Sequence, residues 1–544
     1  AADVETPVPG LTIPGLNLGV GLAFGRSGGA GGDGSPVTVE VDGAVATRGD
    51  SAAGVFAQSV GGGGGVLGEL GNDLPVLDLL SWQIGSAGDA GSAGAVTVAI
   101  TGSVTTSGNH ATGVFAQSAG GTGTAGTVDV TVSGSVLTGA ASDGAGVGLG
   151  LGSVGILAQS AAADAADGGA IRIHVDAPDA VVRGGGSRVL DADRAYLGVG
   201  IWVIDGADNT IVNRGTVTTA GGVDEGFAIL ATGSDDDHPG GSETVINEGT
   251  VIGSVVLGAG ANAFENRPGA RFEPGAVVSV GAGNPLTNQG TMAPGGPGRV
   301  RTTAVTGDYT QTPAGRLQTD LDLGSGEADR LEVSGTAALS GSVEVGHVNA
   351  GRAKPGRGSA TIVSAQAGLT AVPGLTAPTS VVMDYRLERV GTEGLRLDYG
   401  IDFNAPTARG RFDRNRAAVG AYVNALQSAG GSEDFAPIVA TLVSITDDET
   451  LGRAYDRLIP ELVNGAGNET AGASLAFNDA MHSCRTVEGA YRFVRQDQCR
   501  WVRVQAGFRT QDDTARAAGY DIHTFTLGGG VQREVAKDLH LGYG

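Results

Sequence analysis

Val128-Asp129-Val130-Thr131-Val132-Ser133-Gly134-Ser135-Val136 decides how this chain folds. Val128, Val130 and Val132 alternate with Asp129 and Thr131, so one side of the segment is apolar and the other polar, as a half-buried strand requires. Ser133-Gly134 reads as a turn and Ser135-Val136 as the start of a second short strand. A third element, Gly155-Ile156-Leu157-Ala158-Gln159-Ser160, closes the unit. Three short strands with turns between them make one rung of a three-sided helix of strands.

The unit recurs between residues 35 and 290. Its first element returns as Val37-Thr38-Val39-Glu40-Val41, Val96-Thr97-Val98-Ala99-Ile100 and Ile171-Arg172-Ile173-His174-Val175. Its second returns as Asp42-Gly43-Ala44-Val45 and Thr101-Gly102-Ser103-Val104. Its third returns as Gly54-Val55-Phe56-Ala57-Gln58-Ser59 and Gly113-Val114-Phe115-Ala116-Gln117-Ser118, with glycine tracts such as 61–65 following. Further on the turn becomes Asn-x-Gly-Thr, at Asn213, Asn247 and Asn288, with a degenerate copy at Asn266. The last of these are spaced by about 20 residues, the length of one solenoid coil. Longer spacings upstream predict loops inserted at the corners. Asparagine caps turn backbone and tolerates left-handed conformations, and stacked copies would hydrogen-bond from rung to rung. One coil cannot bury its own valine face, but the coils above and below it can, at roughly 25 cal/mol per Å² of apolar area.

Composition agrees. The 544 residues include 97 glycines and 19 prolines, just short of the share that marks low-complexity disorder, while 41% are hydrophobic and only 5% aromatic. Small β-branched residues with many turns suit thin strands, not a large globular core. The formal net charge of −24 disfavours a nucleic-acid partner and docking on anionic lipid. No apolar run approaches the length of a transmembrane helix, and residues 1–10 lack the features of a signal peptide, so the chain is expected to begin mid-protein.

From 300 to 402 longer strands are predicted to finish and cap the solenoid, among them Gly315 to Leu321 and Ala328 to Val343. From about 405 to 485 the period becomes helical. Ala418, Val419, Tyr422, Val423 and Leu426 mark one apolar face. Thr446 with Glu449 reads as a capping box opening a second helix to Leu458, stopped by Pro460. A third helix is predicted from Glu469 to Cys484. After Cys499 the period returns to two. Val502, Val504, Ala506 and Phe508 share one face, and Arg503, Gln505 and Arg509 the other, as in a membrane-barrel strand. Tyr520 to Val531 and Asp538 to Tyr543 are the next strands.

These pieces resemble the autotransporter family of type V secretion. The Ala-Gln-Ser rungs with glycine tracts and the Asn-x-Gly-Thr turns look like their passengers. Gly307-Asp308-Tyr309-Thr310-Gln311 and Ala328-Asp329-Arg330-Leu331-Glu332-Val333 resemble the pertactin-like end of the passenger, which aids passenger folding. Leu458-Ile459-Pro460-Glu461, Trp501 and Gly519-Tyr520-Asp521 resemble the start of the translocation domain. The resemblance implies a mainly β fold: a right-handed parallel β-helix passenger, a short α-helical linker with a pore helix, and the first strands of an incomplete outer-membrane β-barrel. The expected parts are a glycine-rich opening segment (1–34), passenger repeats (35–299), a pertactin-like autochaperone region (300–402), the helical linker (403–485) and the barrel start (486–544). It also implies an outer-membrane location with the passenger at the cell surface or secreted, barrel-assembly machinery as a partner, and a monomer. Three strands cannot close a barrel, so translocation is expected to belong to an intact parent.

Candidate sites are few. Arg48-Gly49-Asp50 is an RGD tripeptide, a candidate adhesion loop for a host-cell receptor or matrix, but a loop tripeptide is a weak motif and the favoured reading is a chance product of a Gly- and Asp-rich chain. Arg172, His174 and Asp176 alternate outward, where a glycan-acting β-helix enzyme would carry its acids and bases, but no matched carboxylate pair stands on adjacent rungs, so a solvated face is expected. Gly25 to Gly29 fits a nucleophile elbow only in letters, and Gly28 to Asp33 is half of one calcium nonapeptide. Asp235-Asp236-Asp237-His238 is expected to be a solvated acidic loop rather than a cation site. Cys484 and Cys499 would close a loop worth about 3 kcal/mol if bonded in an oxidising periplasm; two free thiols are the alternative. No catalytic site, metal or cofactor is expected. The displayed passenger is expected to be structural or adhesive, the alternative being a displayed glycan lyase or hydrolase.

Overall fold

The computed structural model describes residues 2–3, 17–18, 31–62, 90–139, 150–191, 194–234, 240–371, 374–376, 380–404, 412, 414–459, 470–478, 485–488, 493–496, 498–512, 520–537 and 539–544. The chain divides into two compact units. One comprises Ala1–Ala350, Arg357–Pro378 and Tyr385–Tyr399, the other Gly351–Gly356, Thr379–Asp384 and Gly400–Gly544.

The first unit is built on three long sheets. Among the described residues these hold eleven, eleven and twelve strands. They begin at Val37–Val41, Ala44–Thr47 and Val55–Val60, the three elements of the first rung. Every rung adds one strand to each sheet, and pairing from rung to rung is parallel: Val37–Val41 pairs with Val96–Ile100, Ala44–Thr47 with Ser103–Thr106, and Val55–Val60 with Thr112–Gly120. This is the three-sided β-solenoid expected from the repeat. The same sheets run on without a break past residue 300, through Thr302–Thr306, Asp308–Gln311 and Arg316–Asp322.

Period two explains the core. In the first sheet Val39, Val98, Val130, Ile173, Ile211, Val245, Phe264, Leu286, Tyr309, Ala337 and Leu369 stand in one register column. From Val98 to Leu369 all are at most 1% exposed, whereas a coil alone would leave them in water. Each such side chain contributes roughly 1.5–3 kcal/mol by burial. Phe264 and Phe272 of one coil stack at 4.7 Å and fill the middle of the prism.

Glycine sets the corners. The turn joining first and second strands stacks so closely that a Cβ on Gly102 would strike the carbonyl oxygen of Gly43, one on Gly134 that of Gly102, and one on Gly249 that of Gly215. The invariable residue of the Asn-x-Gly-Thr turn is therefore a matter of space between coils. Loops are inserted where expected; one carries the antiparallel hairpin Arg188–Asp191 with Arg194–Tyr196.

The second unit contains helices α1 (Arg414–Ser428), α2 (Ala436–Ser444) and α3 (Asp448–Asp456). The apolar face expected of α1 is corrected: Gly420, Val423 and Gln427 are buried, and Tyr422 is 64% exposed. Gly420 lies against the Phe403 carbonyl, so a residue without a side chain makes the closest approach and turns the helix from its hydrophobic stripe. The cap of α3 also shifts by one residue. Asp447, not Thr446, is the N-cap, accepting from the Thr450 amide at 2.8 Å, because a carboxylate is a stronger acceptor at the positive end of the helix. The α2 helix, with Pro437 in its first turn, is a further element between the two helices expected at 418–426 and 446–458. Arg416 makes a two-pronged ion pair with Asp456 (2.8 and 2.6 Å), tying α1 to α3. Residues 470–478 are helical; Glu469 and 479–484 lie outside the described residues. No described helix is long and apolar enough to cross a membrane.

The chain ends in an antiparallel sheet of Cys499–Gln511, Tyr520–Ala536 and Leu539–Tyr543. Val502 stands opposite Gly529, Val504 opposite Leu527 and Ala506 opposite Phe525, so their apolar residues share one face. Val502, Val504, Phe508, Phe525 and Leu527 are 62–79% exposed. Arg503, Gln505 and Arg509 fall on the other face with Thr524 and Thr526. There Trp501 lies over Gly528 and Gly530, and a side chain on Gly530 would collide with the indole.

Candidate functional site

The Asn-x-Gly-Thr turns put their asparagines in one buried column. Asn213, Asn247, Asn266 and Asn288 each end a first-sheet strand and stand in register, at most 1% exposed. At all three steps Nδ2 donates to Oδ1 of the next asparagine at 2.8 Å. The second Nδ2 hydrogen reaches a carbonyl one coil on, at Thr250, Arg271, Thr291 and Arg316. Oδ1 of Asn213 and Asn247 also accepts from the amide two residues later, at Gly215 and Gly249. Both donors and the acceptor are thus used, as burial of an amide demands. The column passes to Gln311, whose Nε2 donates to the carbonyls of Ser340 and Ser342.

The Ala-Gln-Ser repeat has a similar role that its sequence did not announce. Gln58 donates to Gln117 at 2.5 Å, Gln117 to Gln159 at 2.7 Å and Gln159 to Asp205 at 3.3 Å. Ser118 and Ser160 each donate to a backbone carbonyl (Gly94, Gly126) and accept from a backbone amide (Gly126, Gly169). Identical residues recur because each must match the copy in the next coil.

Outward charges are spent on the same task. Arg172 pairs with Asp129 at 3.4 Å, and Arg214 bridges Asp176 and Glu248 across three coils. These hydrogen bonds, that to Asp176 foremost, raise the Arg214 pKa. His174 stands in register between Thr131 and Val212, so no acid faces it across either neighbouring rung. Arg48, Gly49 and Asp50 form an exposed loop, and Oδ1 of Asp50 accepts from the Asn109 amide of the next coil at 2.8 Å. Cys499 is disulfide-bonded. Cys484, the chain's other cysteine, lies outside the described residues, as do residues 25–30 and 235–239.

Buried acids are the residues that sequence reasoning missed. Glu243, Asp320 and Asp329 are 2%, 4% and 2% exposed. Burial pushes Glu243 up to about 7 and Asp329 up to about 8, and raises Asp320. Asp320 accepts from the Gly298 and Arg299 amides, and Asp329 from those of Arg301 and Asp320, so together they hold the 298–301 turn. From outside, Asp224 pairs with Arg299 and Arg301. A cleft of about 280 Å³ beside the Glu243 coil is lined by small residues and backbone, including Ser160, Asp205, Gly206, Gly241 and Ser242. Among the described residues no group of three or more His, Cys, Asp or Glu is placed to hold a metal ion.

Polar groups here converge on backbone and on their own copies, an arrangement that fixes one coil to the next. Neither a family model nor a curated protein matches the sequence.

Proposed function

We propose that the chain is the passenger of a self-translocating outer-membrane protein of the autotransporter kind, displayed at the cell surface in a structural or adhesive role, with strands of its membrane barrel. The observation that carries this reading is the terminal sheet. Its two long strands, Cys499–Gln511 and Tyr520–Ala536, expose a row of valine, leucine and phenylalanine on one face and arginine, glutamine and threonine on the other. Water penalises that apolar face, whereas hydrocarbon on one side and a wet lumen on the other satisfy both. A rod of stacked coils also suits display, since it grows in reach without a growing globular core. The outward ion pairs, and buried acids Asp320 and Asp329 that are spent on backbone amides, favour the structural or adhesive role over a glycan-acting enzyme.

The test is an epitope inserted in the exposed Arg48–Asp50 loop of the whole protein as its native cell makes it. The reading expects the protein in the outer-membrane fraction and the epitope cut by protease added to intact cells. A soluble cytoplasmic protein, with its epitope protected until lysis, would overturn it.

A further inference from the structure

The solenoid contains a second asparagine column, one corner away from the first, buried at Asn209 and Asn262 and half-buried at Asn284. Asn209 donates to the Asp205 carbonyl at 2.8 Å, Asn262 to the Gly258 carbonyl at 2.7 Å, and Asn284 to the Val280 carbonyl at 2.8 Å, each clasping its own coil's corner. Glu243 occupies this position in the intervening coil, directly opposite Asn209 in the parallel register. Its backbone amide donates to Oδ1 of Asn262 at 2.9 Å, and its Oε1 accepts from Nδ2 of Asn209 at 3.0 Å. Its Oε2 is buried, with the backbone amide of Gly258 as its neighbouring donor and no side-chain donor beside it.

We propose that the Glu243 coil is a pH-sensitive joint of the solenoid, in which a buried carboxyl standing among asparagine amides keeps the coil closed while neutral and loosens it from its neighbours once charged. An amide brings its own donors to such a site, but a carboxylate brings none. A charged oxygen without a donor costs far more to bury than a neutral one. Beyond the Asn209 amide and the Gly258 backbone N–H, the surroundings among the described residues offer no positive charge to offset it. From the Asp208–Asn213 strand come Asn209 and the exposed Asp208, and from the Ala263–Asn266 side come Asn262 and, outward, Glu265, already paired with Arg267. From the third sheet comes Asp205, which accepts from Gln159 and from the Ser234 amide. Burial pushes the Glu243 carboxyl up to about 7, with the Asn209 bond and the Gly258 amide only partly opposing it. A closed coil therefore keeps its proton at pH values where an opened coil releases it. Opening becomes easier as pH climbs from about 4.5 to about 7 and levels off above.

Hydrogen exchange of the full chain at pH 5 and pH 8, corrected for the intrinsic pH dependence of exchange, tests this. Amides of 208–213 and 242–247 are expected to open on the order of tenfold or more readily at pH 8, while those of 96–106 change less. Glu243→Gln is expected to abolish the difference. Equal protection of the Glu243 coil at both pH values in the unaltered chain overturns the proposal whether or not the variant folds. So does a pH dependence that survives in a folded Glu243→Gln.

Discussion

Nδ2 of Asn213 donates to Oδ1 of Asn247 at 2.8 Å, between residues 34 apart in sequence and adjacent in space. The bond repeats from Asn247 to Asn266 and from Asn266 to Asn288 over 19 and 22 residues, so its geometry is indifferent to how much chain lies between coils. That indifference lets corner loops vary while the stack stays in register.

Asn247 sits in the middle of this column. Asn247→Ala would leave Nδ2 of Asn213 and Oδ1 of Asn266 without their partners in a buried site. The expected loss is about 2–4 kcal/mol, since orphaned buried groups cost more than a bond gains. Urea unfolding monitored by hydrogen exchange should place the loss in the flanking coils. An undiminished midpoint would mean the column is decorative.

Glycine at the corner gives a second contrast. Gly249→Ala pushes a methyl into the Gly215 carbonyl, whereas Gly43→Ala meets nothing within 4 Å. The first should destabilise by about 1–3 kcal/mol through forced separation of coils, and the second should be nearly neutral. Thermal melting of the two variants side by side checks this.

Much of this was legible in the residues themselves. The alternation of Val128, Val130 and Val132 fixed strand faces, and the spacing of Asn247, Asn266 and Asn288 fixed the coil. Glu243 shares its parity with Val245 and Asn247, so the alternation already placed it inside; only the expectation that charge stays in water argued otherwise. Asp320 was not readable in this way. It has outward parity between Thr319 and Leu321 and is buried because the 298–301 turn, set by distant chain, lies over it. Gln117 likewise alternates outward with Phe115 yet is fully buried, because both faces of the third sheet are covered at that rung. The apolar spacing of α1 does not mark its buried face, because Gly420, not an apolar side chain, makes the closest contact.

Asp329 predicts a pH dependence. Its folded-state pKa is raised to about 8 from 3.8, so the folded chain holds a proton that the unfolded chain releases. Stability is full below the unfolded value and falls as pH rises towards about 8, by about 2 kcal/mol or more. Asp329→Asn should flatten that part of the profile. The urea midpoint at pH 5, 7 and 9 for both proteins is the measurement, and a midpoint that climbs with pH through this window would refute the assignment.

Arg214 should behave differently. Its ion pairs with Asp176 and Glu248 lie in solvent, with side chains 41–46% exposed. Exposed pairs contribute little and are screened by salt. Arg214→Ala is expected to leave the melting temperature almost unchanged at physiological ionic strength, with any difference confined to low salt.

The central claim is that strands distant in sequence pair in parallel, one coil upon the next. Disulfide trapping measures it directly. Thr210 and Thr244 stand opposite each other in neighbouring coils, whereas Thr287 lies two coils beyond Thr244, opposite Glu265. The doubly substituted Thr210→Cys/Thr244→Cys chain should cross-link rapidly on mild oxidation, since paired strands bring these positions within disulfide reach, and Thr210→Cys/Thr287→Cys should not. Failure of the first pair in a folded chain, or equal cross-linking of the second, would contradict the stacked solenoid.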